Sequence, residues 1–199
     1  MKTTLLFIAL TAFTLSVSAQ KMKIESGDLS FLKGQKELNV SFDFDKATFY
    51  NEKMSEEEYI AKRTKEIGDD KGKAEADKWL ADWNSSKENS FIDKFISSFN
   101  KSGNIQASKD SSAPYTLIVE TTWIYPGWFA GVMKQPAKVS TSLKFVETAN
   151  PGNVLAVIDS KNAPGDGNFV GVANNNDRIA EGYAKTGKTL GGLVKKKAK

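Results

Sequence analysis

The chain has 199 residues, a formal net charge of +4, and neither cysteine nor histidine. That composition excludes disulfides, an acylated lipoprotein cysteine, thiolate or imidazole metal ligands, and serine nucleophiles that use a histidine base. Of 28 basic residues only Arg63 and Arg178 are arginine, and the lysines alternate with acids in EKMSEEEYIAKRTKEIGDDKGKAEADK, so nucleic acid is not an expected partner.

The chain opens MKTTLLFIALTAFTLSVSAQ. Lys2 supplies a positive start, Leu5 to Leu15 an apolar core, and Val17 and Ala19 the small residues of a cleavage site. This pattern predicts a signal peptide over residues 1–19, cut between Ala19 and Gln20. Residues 20–199 then read as one α/β domain with a short basic tail, KKKAK, long enough to bury about two-thirds of its unfolded surface. No later apolar run is long enough for a transmembrane anchor.

Residues 20–34 read as an edge strand or an extended leader. In LNVSFDFDKATFY, Leu38, Val40, Phe42 and Phe44 alternate with polar residues, which predicts a strand with one buried face. Ser55 and Glu58 form a capping box that opens a helix through EEEYIAKRTKEI, ending near GDDKG. Ala76, Trp79, Leu80 and Trp83 share a second helical face. Phe91, Ile92, Phe95, Ile96 and Phe99 make a third. Asn84-Ser85-Ser86 is the natural break, and one bent helix or two both remain open for residues 74–99.

KSGNIQASKDSSAP reads as a polar linker or hairpin loop. YTLIVETTW, KVSTSLKFV and NVLAVIDS follow as three strands of an antiparallel meander, with the Pro-Gly of ETANPGN turning between the last two. Residues 161–176 read as a loop. A final helix begins at Asn176 or Asp177 and packs through Ile179, Ala180, Tyr183, Thr186, Leu190, Leu193 and Val194. Its four glycines, Gly182, Gly187, Gly191 and Gly192, each cost about 1 kcal/mol relative to alanine. Gly187 and Gly191, one turn apart, are expected to let the backbone approach the sheet. The fold class is α/β (α+β): a single mixed, largely antiparallel sheet with helices packed on one face.

The WIYPGW stretch holds the candidate binding residues. Strict alternation from Tyr115, Leu117 and Val119 puts Trp123 in the core, with Tyr125 beside it. Pro126 and Gly127 break the strand, and Trp128 lies past the turn, where it either folds back onto Trp123 and Tyr125 or projects outward with Phe129, at least partly exposed. Trp123, Tyr125, Trp128 and Phe129 can therefore either close a core or form a stacking platform for a sugar or a protein side chain.

Chemistry has little else to use. Asp159, Asp166 and Asn168 offer an oxygen-only cation site, but their spacing matches no EF-hand and Gly-rich turns use these residues without metal. Asp43 and Asp45 share a predicted strand face and Glu120 ends another strand, as acids on polar sheet faces commonly do. The SFLK at Ser30 lacks the companion motifs of Ser-Lys enzymes, and KTG (Lys185–Gly187) and GKT (Gly187–Thr189) fall inside the last helix. No catalytic residue, metal or cofactor is expected.

The order of elements resembles that of envelope proteins related to the TolB N-terminal domain and to the curli-secretion and peptidoglycan-synthase-activator lipoproteins. LKFVETANPGNVLAVIDS resembles their strand, acidic turn with glycine, and strand. FDFDKATFY, DKWLADW and RIAEGYAKTGKTLGGLV resemble uncharacterised secreted proteins of Bacteroides-type bacteria, over roughly residues 35–194. The resemblance implies a periplasmic or cell-surface scaffold that binds another envelope component without chemistry. The competing expectation is a carbohydrate or small-ligand binder using residues 123–129. Oligomeric state is not indicated.

Export predicts a mature chain beginning at Gln20. N-terminal sequencing of the protein recovered from envelope and medium fractions is expected to start there, and an uncleaved chain in the cytoplasm would contradict the prediction.

Overall fold

The computed structural model describes residues 20–109, 112–130, 133–165 and 175–198. The predicted signal peptide, Asp166 and Asn168 lie outside them. The elements in order are β1 (Lys21–Gly27), a 3-10 turn (Ser30–Leu32), β2 (Glu37–Asp43), β3 (Thr48–Phe49), α1 (Glu56–Lys71), α2 (Lys73–Ser85) and α3 (Phe91–Ser102). There follow β4 (Gln106–Ser108), β5 (Tyr115–Tyr125), β6 (Trp128–Ala130), β7 (Met133–Gln135), β8 (Ala137–Glu147), β9 (Asn150–Gly165) and α4 (Asn175–Lys197).

The main sheet is mixed, with strands in the order β1-β9-β8-β5-β2-β4 and β3 also on β5. The long strands β5, β8 and β9 form the expected antiparallel meander, and β1 adds to its edge. β2 lies parallel to both β5 and β4, because α1, α2 and α3 make the crossover that a parallel pair requires. The ambiguous residues 20–34 thus supply the edge strand β1 and a turn that buries Leu29 and Leu32. The expected polar linker contributes β4 and buries Ile105 and Ala107.

All four helices among the described residues pack on one face, and the alternation read in the sequence points the apolar rows toward them. Leu38 and Val40 of β2, Leu117 and Val119 of β5, Val139, Leu143 and Phe145 of β8, and Ile158 of β9 are buried there. They meet Phe91, Phe95 and Phe99 of α3 and Ile179, Tyr183, Leu190 and Val194 of α4 in one cluster. The capping box forms as read: the Glu58 N–H donates to Ser55 Oγ and the Ser55 N–H to the Glu58 carboxylate at 2.9 Å.

Residues 73–102 follow one helical path. At Ser86–Ser90 the helix widens to a π turn with no departure from helical backbone at its ends. The extra residue rotates the apolar stripe, so that Trp83 and Phe91 still meet at 5.8 Å between ring centroids. No helix among the described residues is long and apolar enough to cross a membrane.

The glycines of α4 divide between two neighbours, which corrects the expectation that Gly187 and Gly191 face the sheet. A Cβ added at Gly182 would lie 2.7 Å from Val139 Cγ2, on the sheet. At Gly187 and Gly191 it would lie 2.2 and 2.6 Å from the carbonyl oxygens of Phe95 and Phe99, on α3. One helix-turn spacing places the pair on a common stripe, but only the assembled layer decides which neighbour that stripe meets. Hydroxyls at Thr121 and Ser160 then tie α4 to the sheet, on either side of Thr141, which faces Thr121 across β5 and β8 and Ser160 across β8 and β9. Thr121 Oγ1 and Tyr183 Oη share a 2.7 Å hydrogen bond. The Gln20 amide donates to Ser160 Oγ at 2.9 Å and accepts from Thr189 Oγ1 at 2.7 Å.

Gly187→Ala is expected to lose about 1–3 kcal/mol by forcing Cβ into the Phe95 carbonyl. Gly192, with nothing within 4 Å of an added Cβ, should tolerate alanine and gain up to about 1 kcal/mol in helix propensity. Urea midpoints of the two variants check the contrast.

Candidate functional site

No helix among the described residues covers the opposite face of the sheet, and two strand irregularities at one level shape it. The β5–β8 register shifts between Thr121 and Trp123, making Thr122 an extra residue. A bulge of this kind re-aims the side chains that follow. Thr121 and Ile124 point into the core at 0% exposure, whereas Trp123 is half-buried on the open face and Tyr125 follows it there. This corrects the expectation of Trp123 in the core. Beside it, the β8–β9 register shifts so that Lys161 and Asn162 oppose Ser140 alone. Asn162 takes a left-handed φ of 56° and donates its N–H to Ser140 Oγ at 3.1 Å.

These bulges open a cleft of about 530 Å³, whose walls include Thr48, Lys53, Trp123, Ser140, Asp159 and Asn162. One wall is the tight turn after β3, where Phe49 and Met54 exchange both backbone hydrogen bonds at 2.9 Å. Tyr50 and Lys53 in that turn have φ values of 56° and 58°. The Tyr50 carbonyl accepts from Trp123 Nε1 at 2.7 Å, which satisfies the indole's single polar atom and leaves its π surface for contact. Tyr125 stacks on Trp123 with centroids 6.1 Å apart and planes 22° apart, and Tyr50 meets Tyr125 edge-on at 5.9 Å. Burial pushes the Tyr50 phenol above its ordinary pKa, so it stays protonated.

Glu120 and Asp159 on this face each have a lysine partner. Glu120, in the middle of β5 and not at a strand end, accepts from Lys144 at 2.9 Å and Lys46 at 3.1 Å. The Lys144 hydrogen bond, outweighing the opposing effect of burial, holds the Glu120 carboxyl below its ordinary range. A carboxylate so held cannot serve as a general acid near neutrality. Asp159 lies 3.5 Å from Lys161. Asp43 and Asp45 do not share a strand face: β2 ends at Asp43, and Asp43 Oδ1 accepts the Asp45 N–H at 2.9 Å in a turn. Among the described residues no group of three or more potential metal-ligating side chains occurs.

Of the four residues singled out in the sequence, the structure brings Trp123 and Tyr125 together. Trp128 is 44% exposed on β6, which pairs with β7 in a separate two-stranded sheet, and it does not line the cleft. The side chain of Phe129 lies outside the described part of the chain. Sequence reading missed Thr48, Lys53, Ser140 and Asn162 as neighbours of Trp123. Asn162 falls in residues 161–176, read as a loop, but β9 runs on to Gly165 and absorbs it as a bulge, because asparagine tolerates the left-handed conformation a bulge demands.

No protein-family model and no curated protein sequence matches the chain. Among solved structures, the chain is similar to the PelC dodecamer from Paraburkholderia phytofirmans, at 11% identity and a TM-score of 0.40, over 86% of this chain and 97% of that one. A point variant of the same protein in another crystal form gives 11% identity and a TM-score of 0.38, over 86% and 98%. No inference about the role of this chain rests on either likeness.

Glu120→Gln should destabilise the protein by about 1–2 kcal/mol at neutral pH by removing a charge-assisted pair of hydrogen bonds. Because the folded-state pKa is depressed, the contribution of Glu120 is present above the ordinary carboxylate value of 4.5 and is lost as pH falls through the lowered one. Denaturation midpoints of wild type and variant should therefore converge toward acid pH.

Proposed function

We propose that this is an exported, non-catalytic binding protein that holds another component of the cell envelope on the open face of its sheet. The observation that carries the reading is the asymmetry of the layers. Every helix among the described residues packs on one face, while the other presents a stacked Trp-Tyr pair beside a cleft that carries polar groups. Fixed aromatic surface next to convergent polar groups is the usual make-up of a recognition site.

The signal-peptide pattern supports export. The resemblance to TolB-like and lipoprotein scaffolds supports an envelope partner. The state of the acids supports binding over chemistry, since Glu120 is held ionised between two lysines. No disulfide is needed to keep such a domain folded outside the cytoplasm, because the core spans four helices and a seven-stranded sheet.

Photo-crosslinking in intact cells tests the assignment of the working face. A crosslinking residue placed at Ser41 or Thr122 on the open face is expected to capture envelope material. The same residue at Lys65 or Lys78 on the helical face is expected to capture none. Adducts confined to the helical positions would overturn the proposal.

A further inference from the structure

Trp123 and the groups around it share a chemistry more specific than protein docking. The indole N–H is already used by the Tyr50 carbonyl, so the ring offers the cleft an apolar π face with no polar edge to satisfy. Tyr125 stacks on Trp123 without lining the cleft, and so backs the ring from outside it. The remaining walls set polar groups among apolar carbon: Thr48, Ser140, Asp159 and Asn162 supply hydroxyl, carboxylate and amide groups, and Lys53 and Lys161 supply ammonium groups, within one open cleft of about 530 Å³. That volume lies within the range of small-ligand sites, about 300–1,000 Å³. An apolar small molecule would strand these groups, and a peptide side chain would use only a few of them. A pyranose uses both kinds of surface, since its C–H face packs on an aromatic ring while its equatorial hydroxyls donate and accept in the plane.

We propose that the cleft is a subsite for one pyranose residue of an envelope glycan, with the sugar ring on Trp123 and its hydroxyls on Asp159, Asn162 and Ser140. This rests on the reading of the open face as the binding face and names the ligand class for it. Asp159 accepts from a pair of vicinal hydroxyls. Asn162, whose backbone N–H is taken by Ser140 Oγ, keeps its carboxamide for both donation and acceptance. The left-handed backbone at Asn162 and the bulge at Thr122 bring these groups and the indole to one cleft. Trp128, on its own two-stranded sheet, has no part in the subsite.

The mature protein, labelled with ¹⁵N, is titrated with glucose, N-acetylglucosamine, mannose and galacturonic acid and with short oligomers of each. Its four tryptophans give four indole N–H resonances, assigned by single Trp→Phe variants. At least one sugar is expected to move the Trp123 indole and the Asn162 amide while leaving those of Trp79 and Trp83 in place. Trp123→Ala should weaken that sugar by about tenfold or more. Asn162→Gly, which keeps the left-handed backbone while removing the carboxamide, and Asp159→Ala on the rim should weaken it as well at nearly unchanged Tm, so a folding defect in Trp123→Ala does not decide the matter. Trp128→Ala should bind as the wild type does. The assignment is overturned if none of these sugars shifts the Trp123 and Asn162 signals, or if the shifts survive all three cleft substitutions. If open-face crosslinks persist while every sugar fails, the glycan is wrong and the binding face stands. If both fail, the face itself is wrong.

Discussion

The architecture depends on how closely α4 approaches its neighbours. Helices ordinarily sit 8–10 Å apart because side chains keep them there. Here Gly187 and Gly191 remove those side chains, and an added Cβ at either would fall within 2.6 Å of a carbonyl oxygen of α3. Gly182 does the same toward Val139 of β8. With α4 seated this deeply, Tyr183 reaches the hydroxyl of Thr121, and the rings of Phe91, Phe42 and Phe44 gather around it. The helix residues that would otherwise weaken α4 are thus the ones that allow the whole helical layer to close on a single sheet face.

That closure leaves the other face to the strands alone. On it, two bulges in neighbouring strand pairs fall at the same level, Thr122 in β5 and Lys161–Asn162 in β9. Each inserts one residue, so the side chains on one side of the irregularity no longer share the parity of those on the other. The consequence for β5 is that Ile124 replaces Trp123 in the core. The indole then joins Tyr125 outside, where the turn after β3 takes its N–H. A recognition surface is built from a strand whose first half is ordinary core.

Charge on the open face is arranged for persistence. Glu120 lies between Lys46 and Lys144, with its side chain only 10% exposed. Two ammonium groups compensate its desolvation, so the carboxylate remains ionised and fixed. Asp159, whose partner Lys161 is exposed and 3.5 Å away, and Asn162 in the cleft are freer to meet a ligand. The difference separates groups that hold the sheet face together from groups available for recognition.

Much of this was legible in the amino-acid order. Period-two alternation in β2, β5 and β8, period 3.6 in α3 and α4, and the Ser55–Glu58 cap are local patterns, and local patterns report which face an element buries. They were enough to establish one sheet with helices on one side. The sequence by itself also determined the chemistry that is absent, because no residue order compensates for missing cysteine and histidine. Tertiary structure alone decided what depends on pairing between distant segments. The side of the sheet that Trp123 occupies follows from a register shift against β8, and alternation within β5 has no access to it. Likewise Thr48, Ser140 and Asn162 lie far apart in the chain, and only the registers of β3, β8 and β9 bring them to one cleft. Gly187 and Gly191 mark a close approach in the sequence, but the neighbour they approach, α3, was settled when the layers packed.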